Sequence, residues 1–228
     1  MTLIFALAEA SLELVPREIW KHPAVKRNAE KRGKKPGETL LDISLHYAAM
    51  KGLQGWEKRG RPDIVHTTLL YLLGTPLCRR GLMRIYVHTV NDLVVEIKPE
   101  TRLPKNYPRF VGLMEQLLKA GRVPEEGEPL IRVIGSGFKL IIDEAKPSYT
   151  VLLTEKGRLV CPREVAGLLI KHEKPLVIVG GFHRGDFSPY LYSFANETVS
   201  LYPEPLEAWI VSSILLHAYE EALGLYQT

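Results

Sequence analysis

LVIVGGFHRGDF, residues 176–187, is the stretch whose reading decides the fold. Its four leading apolar residues lie between Pro175 and a Gly-Gly pair, which predicts a buried strand that stops abruptly and hands the chain to a polar loop. Ligands of open α/β sheets sit beyond such strand ends. Gly180 and Gly181 carry no Cβ and tolerate positive φ, so a ligand can come close to the backbone there. Taken alone, the pair describes an ordinary strand-to-loop turn.

Working outward, residues 197–202 predict a last short strand, followed by the proline-rich turn of ETVSLYPEP and an amphipathic helix over 206–223. Upstream, 129–134, 139–143 and 149–154 are strand candidates, and 162–171 is a helix with proline in its first turn. At the other end, 3–7 is a buried strand and 16–20 a short helix or turn. Residues 21–35 hold seven Lys/Arg with Gly33 and are followed by Pro36 and Gly37, so a loop or mobile insertion is expected, its charge serving RNA or solubility. TLLDISLHYAAMK, 39–51, has a helical apolar face, with Thr39 as cap and Asp42 three residues on. A second helix over 63–73 is closed by Gly74 and Pro76. Arg59, Arg61 and Asp63 stand at its entrance, where backbone N–H groups favour anions. Residues 82–97 predict a hairpin around Asn91-Asp92. In KPETRLPKNYPRF, 98–110, four positive charges alternate with three prolines ahead of the helix VGLMEQLLK. The prolines stiffen the loop and hold Arg102, Lys105 and Arg109 as a fixed array.

The 228 residues, 46% hydrophobic and 25% charged, suit a soluble globular domain with a well-buried core. The apolar start has no basic residue ahead of it and meets Glu9 and Glu13 at once, so it reads as a first strand rather than a signal peptide. No apolar run approaches the roughly 20 residues of a membrane span. Cys78 and Cys161 are too far apart for metal spacing or a disulfide framework, which points to a reducing cytoplasm. The net charge of +4 conceals a split: residues 1–122 carry 21 Lys+Arg against 12 Asp+Glu, residues 123–228 only 9 against 14. A basic first half fits phosphate neutralisation, and a solvated lysine-rich face fits it too.

The ordered set LLDISLHYAAM, RGRPDIVHTTLLYLLGTPL, TRLPKNYPRFVGLMEQLL, GGFHRGDF and ETVSLYPEPLEAW resembles the ribosome-biogenesis pseudouridine N1-methyltransferases of the SPOUT class, over nearly the whole chain. The resemblance implies one α/β domain over 1–228 with a mainly parallel sheet, a C-terminal trefoil knot, a β-hairpin extension and a basic loop insertion. Its RNA-binding part would span about 17–122 and its cofactor-binding knot about 148–228. It implies a homodimer, S-adenosylmethionine as methyl donor, and a pseudouridine in a hairpin loop of small-subunit ribosomal RNA as substrate. Small-subunit ribosomal proteins are expected as further partners, in a cytoplasmic setting with no membrane.

By position, the resemblance puts the cofactor on Leu153 and Thr154, on Gly180, Gly181, Gly185, Asp186 and Phe187, and on Leu201, Tyr202, Pro203, Glu204, Pro205 and Leu206. Asp186 would meet the methionine ammonium or form an Asx turn. Arg59, Arg61, Arg102, Lys105 and Arg109 would contact RNA, Lys105 without the bidentate geometry of an arginine. Asp63 would orient Arg61 or cap the helix, and is a possible base through water. His46, His66, His88, His183 and His217 lack metal spacing, so no metal is expected; His66 is the one worth mutating. Trp56, Trp209 and the tyrosines of the last helix belong to the core or a dimer contact. The alternative function is a non-catalytic RNA-binding ribosome-assembly factor.

Overall fold

The computed structural model describes residues 1–226. In chain order the strands are β1 (Leu3–Ala10), β2 (Met83–Thr89), β3 (Leu93–Ile97), β4 (Arg122–Val123), β5 (Ile131–Ser136), β6 (Tyr149–Leu159), β7 (Pro175–Gly180) and β8 (Glu197–Ser200). They form one mixed sheet in the order β4-β5-β3-β2-β1-β7-β6-β8. The block β2-β1-β7-β6-β8 is parallel, and β3, β5 and β4 extend it antiparallel. The fold is therefore α/β with a mostly parallel sheet. Near-continuous apolar runs in β1 and β7 match their burial on both faces, as parallel strands under two helical layers require.

The helices are α1 (Pro23–Lys31), α2 (Ile43–Met50), α3 (Pro62–Gly74), α4 (Pro76–Arg79), α5 (Tyr107–Ala120), α6 (Lys139–Ala145), α7 (Pro162–Leu169), α8 (Pro189–Tyr192) and α9 (Ala208–Ala222). One face of the sheet packs on α3, α5, α7 and α9, the other on α6 and α8. A smaller cluster joins α1 and α2 through Val25, Ala29, Ala49 and Met50.

Several expectations are corrected. Residues 21–35 are not a loop insertion: they contain α1, with Pro23 at its first position, His22 Nδ1 accepting from the Ala24 N–H at 3.2 Å, and Val25 and Ala29 buried one turn apart. The charge there is structural in part. Arg32 and Lys34 both bind the buried Glu115 of α5, which also accepts from the Leu40 N–H at 2.8 Å. Burial alone would raise the Glu115 pKa, but these donors outweigh it and hold the carboxyl below its ordinary range. Residues 139–143, expected as a strand, lie in α6. There Ile141 and Ala145 are buried at helical spacing, and Lys139 pairs with Asp143 at 2.8 Å. Thr39 does not cap α2; Asp42 does, accepting from the Ser44 N–H at 2.8 Å.

Candidate functional site

The parallel neighbours β7, β6 and β8 send three loops out at their carboxyl side, and a cleft opens between them. Leu153, Thr154 and Glu155 of β6 form one wall. Gly180, Phe182, His183, Gly185, Asp186 and Phe187 form the middle, and Leu201, Tyr202 and Glu204 to Ala208 the third. Apolar faces from Leu153, Val179, Val199 and Leu206 alternate with carboxylates of Glu155, Glu204 and Glu207. Such a mixture suits a ligand with a flat apolar part and a positive charge.

Two expected members stand apart from it. Gly181 and Pro203 are not among the lining residues. A Cβ on Gly181 would come within 2.7 Å of Ala10, so packing on β1 by itself accounts for the glycine, and neither Gly180 nor Gly181 has positive φ. Gly185, at φ +93, is the residue in this loop that needs the freedom. Asp186 is engaged within the chain, accepting from Lys156 Nζ at 2.8 Å, Tyr192 Oη at 2.6 Å and the Phe187 N–H at 2.7 Å. Burial favours its neutral form, yet these three donors keep its pKa low.

The basic segment ahead of α3 packs against the glycine loop. Lys58 Nζ lies 4.6 Å from the Phe182 ring centre and pairs with Glu9 at 2.6 Å. Glu9 also accepts from the Ser188 N–H, tying β1 to the far end of the loop. Arg61 grips both oxygens of Asp63 at 2.8 Å, whereas the first turn of α3 receives no side-chain cap. Of the two roles considered for Asp63, the geometry matches the orienting one. Arg59 turns the other way and binds both oxygens of the buried Glu13 at 2.6 Å. Arg102, Lys105 and Arg109 are exposed beside α3, on a loop and helix start anchored from behind. His66 Nε2 meets the Pro104 carbonyl at 2.8 Å, its ring stacks on Phe110 at 4.3 Å, and Asn106 caps α5. His66 is thus an anchor of the basic loop.

The sequence model of the EMG1/NEP1 methyltransferases matches residues 5–220. The chain belongs to the EMG1/NEP1 methyltransferase family. It is 48% identical over 219 residues to the ribosomal RNA small subunit methyltransferase Nep1 of Thermococcus kodakarensis, covering 96% of this chain and 98% of that one. The Nep1 of Staphylothermus marinus is also 48% identical, over 220 residues, with coverage of 96% and 95%. A crystal structure of Archaeoglobus fulgidus Nep1 bound to S-adenosylhomocysteine superposes with a TM-score of 0.87 at 39% identity, covering 98% of this chain and 100% of that one.

The family motifs cover the loop backbones of the cleft, and the structure adds side chains to which the resemblance assigns no role. Phe182, His183, Glu155 and Glu207 are lining residues. The signal for Glu155 and Glu207 was their place, one directly after a strand-end pair and one at the N-cap of α9. His183 is the most informative, since its Nδ1 is enclosed and has no hydrogen-bond partner. Burial, then the positive charges of Arg61 and Arg184, hold its pKa below the ordinary value against the opposing pull of Glu207 and Asp63. The Arg61–Asp63 pair therefore acts on the same imidazole that lines the three-loop cleft.

Proposed function

We propose that this chain transfers the methyl group of S-adenosylmethionine to N1 of a pseudouridine in a hairpin loop of small-subunit ribosomal RNA. The observation that carries the reading is the meeting of two features at one place: the cleft beyond β7, β6 and β8, and the Arg61–Asp63 pair at the mouth of the basic half. The residues fit the donor. Leu153, Val179 and Leu206 offer apolar faces for adenine, the backbone around Gly180 and Leu201 is at hand for polar edges, and Glu155, Glu204 and Glu207 balance positive charge. When bound, the sulfonium supplies an electrophilic methyl.

The chain's own contribution is placement. Arg61, oriented by Asp63, and the exposed Arg102, Lys105 and Arg109 hold the phosphates, and a loop nucleotide flips out at little cost. Holding N1 in line with the methyl supplies most of the acceleration. Arg59 is assigned to the scaffold, since the carboxylate it neutralises, Glu13, is buried.

The same reading includes a trefoil knot over about 148–228. In its support, β8 lies outside β6 while β7 lies inside it, so the β7-to-β8 connection passes over β6, and α9 packs on α7. It includes a homodimer, favoured by the exposed apolar side chains of Leu159, Tyr202 and Ile210. It also includes small-subunit ribosomal proteins as neighbours and a cytoplasmic setting. No helix among the described residues is long and apolar enough to cross a membrane.

The test uses radiolabelled S-adenosylmethionine with a hairpin RNA carrying pseudouridine and the same hairpin carrying uridine. Transfer to the first alone is expected. Binding of both without transfer would replace this reading by that of an assembly factor.

A further inference from the structure

We propose that His183 is a catalytic residue of this transfer: its neutral imidazole donates a hydrogen bond from Nε2–H to a carbonyl oxygen beside the reacting nitrogen of the target base. The proposal rests on the function argued above and names a group that this function does not require.

Position comes first. His183 lines the cleft in the middle loop, and the charges acting on it are Arg61 and Asp63 of the α3 entrance, Arg184 of its own loop, and Glu207 at the start of α9. A base presented by RNA held on Arg61 and facing the methyl donor enters this junction.

The ring's state follows from its two nitrogens. Nδ1 is enclosed without a partner, which leaves Nε2 as the nitrogen able to meet a ligand. An orphaned buried N–H is rarer and costlier than an under-satisfied acceptor, so Nδ1 holds a lone pair and Nε2 holds the proton. Adding a second proton would place an unpartnered charged N–H inside the protein, next to Arg61 and Arg184. His183 is therefore poorly suited as a base and well suited as a neutral donor.

The chemistry has a use for such a donor. As the reaction proceeds, the N1 lone pair forms the bond to the methyl carbon, the carbon–sulfur pair stays with sulfur, and the N1 proton passes to water. Any loss of that proton ahead of bond formation puts negative charge on the adjacent carbonyl oxygen. A fixed N–H aimed at that oxygen stabilises the charge where it develops.

Three variants separate donor from base. Glutamine places an amide N–H near the position of Nε2; asparagine falls about one bond short; phenylalanine keeps the ring and has no donor. Single-turnover transfer to the pseudouridine hairpin is expected to stay within about fivefold of wild type in His183→Gln. It is expected to fall roughly 100-fold in His183→Asn and His183→Phe, with S-adenosylhomocysteine affinity by calorimetry within about threefold in all. Nitrogen-15 spectra of the free protein should show a neutral ring protonated at Nε2. Equal loss in glutamine and asparagine variants, unchanged transfer in His183→Asn, a ring protonated at Nδ1, or collapse of S-adenosylhomocysteine binding would each overturn the proposal. Should His183→Phe fail to fold, the glutamine–asparagine contrast decides. Wild-type protein that transfers nothing to the hairpin would overturn the function itself, an outcome distinct from active enzyme indifferent to residue 183.

Discussion

Arg59 and Arg61 stand two residues apart, and each meets a carboxylate with two parallel hydrogen bonds, to Glu13 at 2.6 Å and to Asp63 at 2.8 Å. The partners differ in depth. The Glu13 side chain is 1% exposed and also accepts from Asn91 at 3.0 Å, whereas the Asp63 side chain is 46% exposed at the mouth of the site. An arginine that neutralises a buried carboxylate cannot leave it, because the stranded charge would face a low dielectric. One that shares a solvated carboxylate is held in direction and still has donors for a phosphate or a base. Two similar forks therefore serve the scaffold and the substrate respectively.

The contrast is broken most severely through Arg59. Arg59→Met leaves Glu13 buried and unpaired and should lower the unfolding free energy in urea by about 3–5 kcal/mol. Arg61→Ala should cost about 1 kcal/mol or less, its pair being half solvated, yet reduce single-turnover transfer to the pseudouridine hairpin by roughly 100-fold. Equal stability losses in the two variants would mean that depth does not separate these pairs. A second buried carboxylate gives the pH counterpart. The Glu115 pKa is depressed in the folded protein by Arg32, Lys34 and the Leu40 N–H, so its contribution is complete above the ordinary carboxylate pKa and is lost as pH falls through the lower folded value. Urea midpoints measured from pH 6 down to pH 3 should fall less steeply for Glu115→Gln than for wild type; parallel curves would remove Glu115 from the acid response.

The parallel core was legible because β1 and β7 are short apolar runs, β7 bounded by Pro175 and Gly180-Gly181 and β1 followed by Glu9 and Glu13, and the loops of the cleft followed from the family resemblance at residues 153–154, 180–187 and 201–206. What misled was local charge and local propensity. Seven Lys/Arg in residues 21–35 suggested a solvated loop, but Val25 and Ala29 supply a one-turn apolar stripe, and Arg32 and Lys34 are recruited by a glutamate 81 to 83 residues away. Ile141-Ile142 suggested a strand where burial at Ile141 and Ala145 selects a helix. The fate of Arg59 was equally non-local, since Glu13 lies 46 residues upstream. RGRPD itself offers Asp63 to Arg61, but only the fold decides that Arg59 meets Glu13.

The smallest effects are expected on the outer rim of the substrate side. Among the described residues no carboxylate pairs with Arg102, Lys105 or Arg109, and all three are exposed on a segment held by His66 and Asn106. Each removal should leave stability unchanged within about 0.5 kcal/mol. If each meets one phosphate, the slope of log affinity against log salt should flatten by about 0.7–0.9 per residue, with the single-strand value for an open loop. Lys105→Ala should weaken binding less than Arg109→Ala at a given salt, because an ammonium offers no planar fork to a phosphate. His66→Ala gives the control that ties this rim to its scaffold. It removes no charge from the rim, so it should lower affinity through disorder of the loop and leave the salt slope closer to wild type than Arg109→Ala does. A slope reduced as much by His66→Ala as by Arg109→Ala would show that the basic loop acts through its position alone, and Arg109 would lose its place as a phosphate contact.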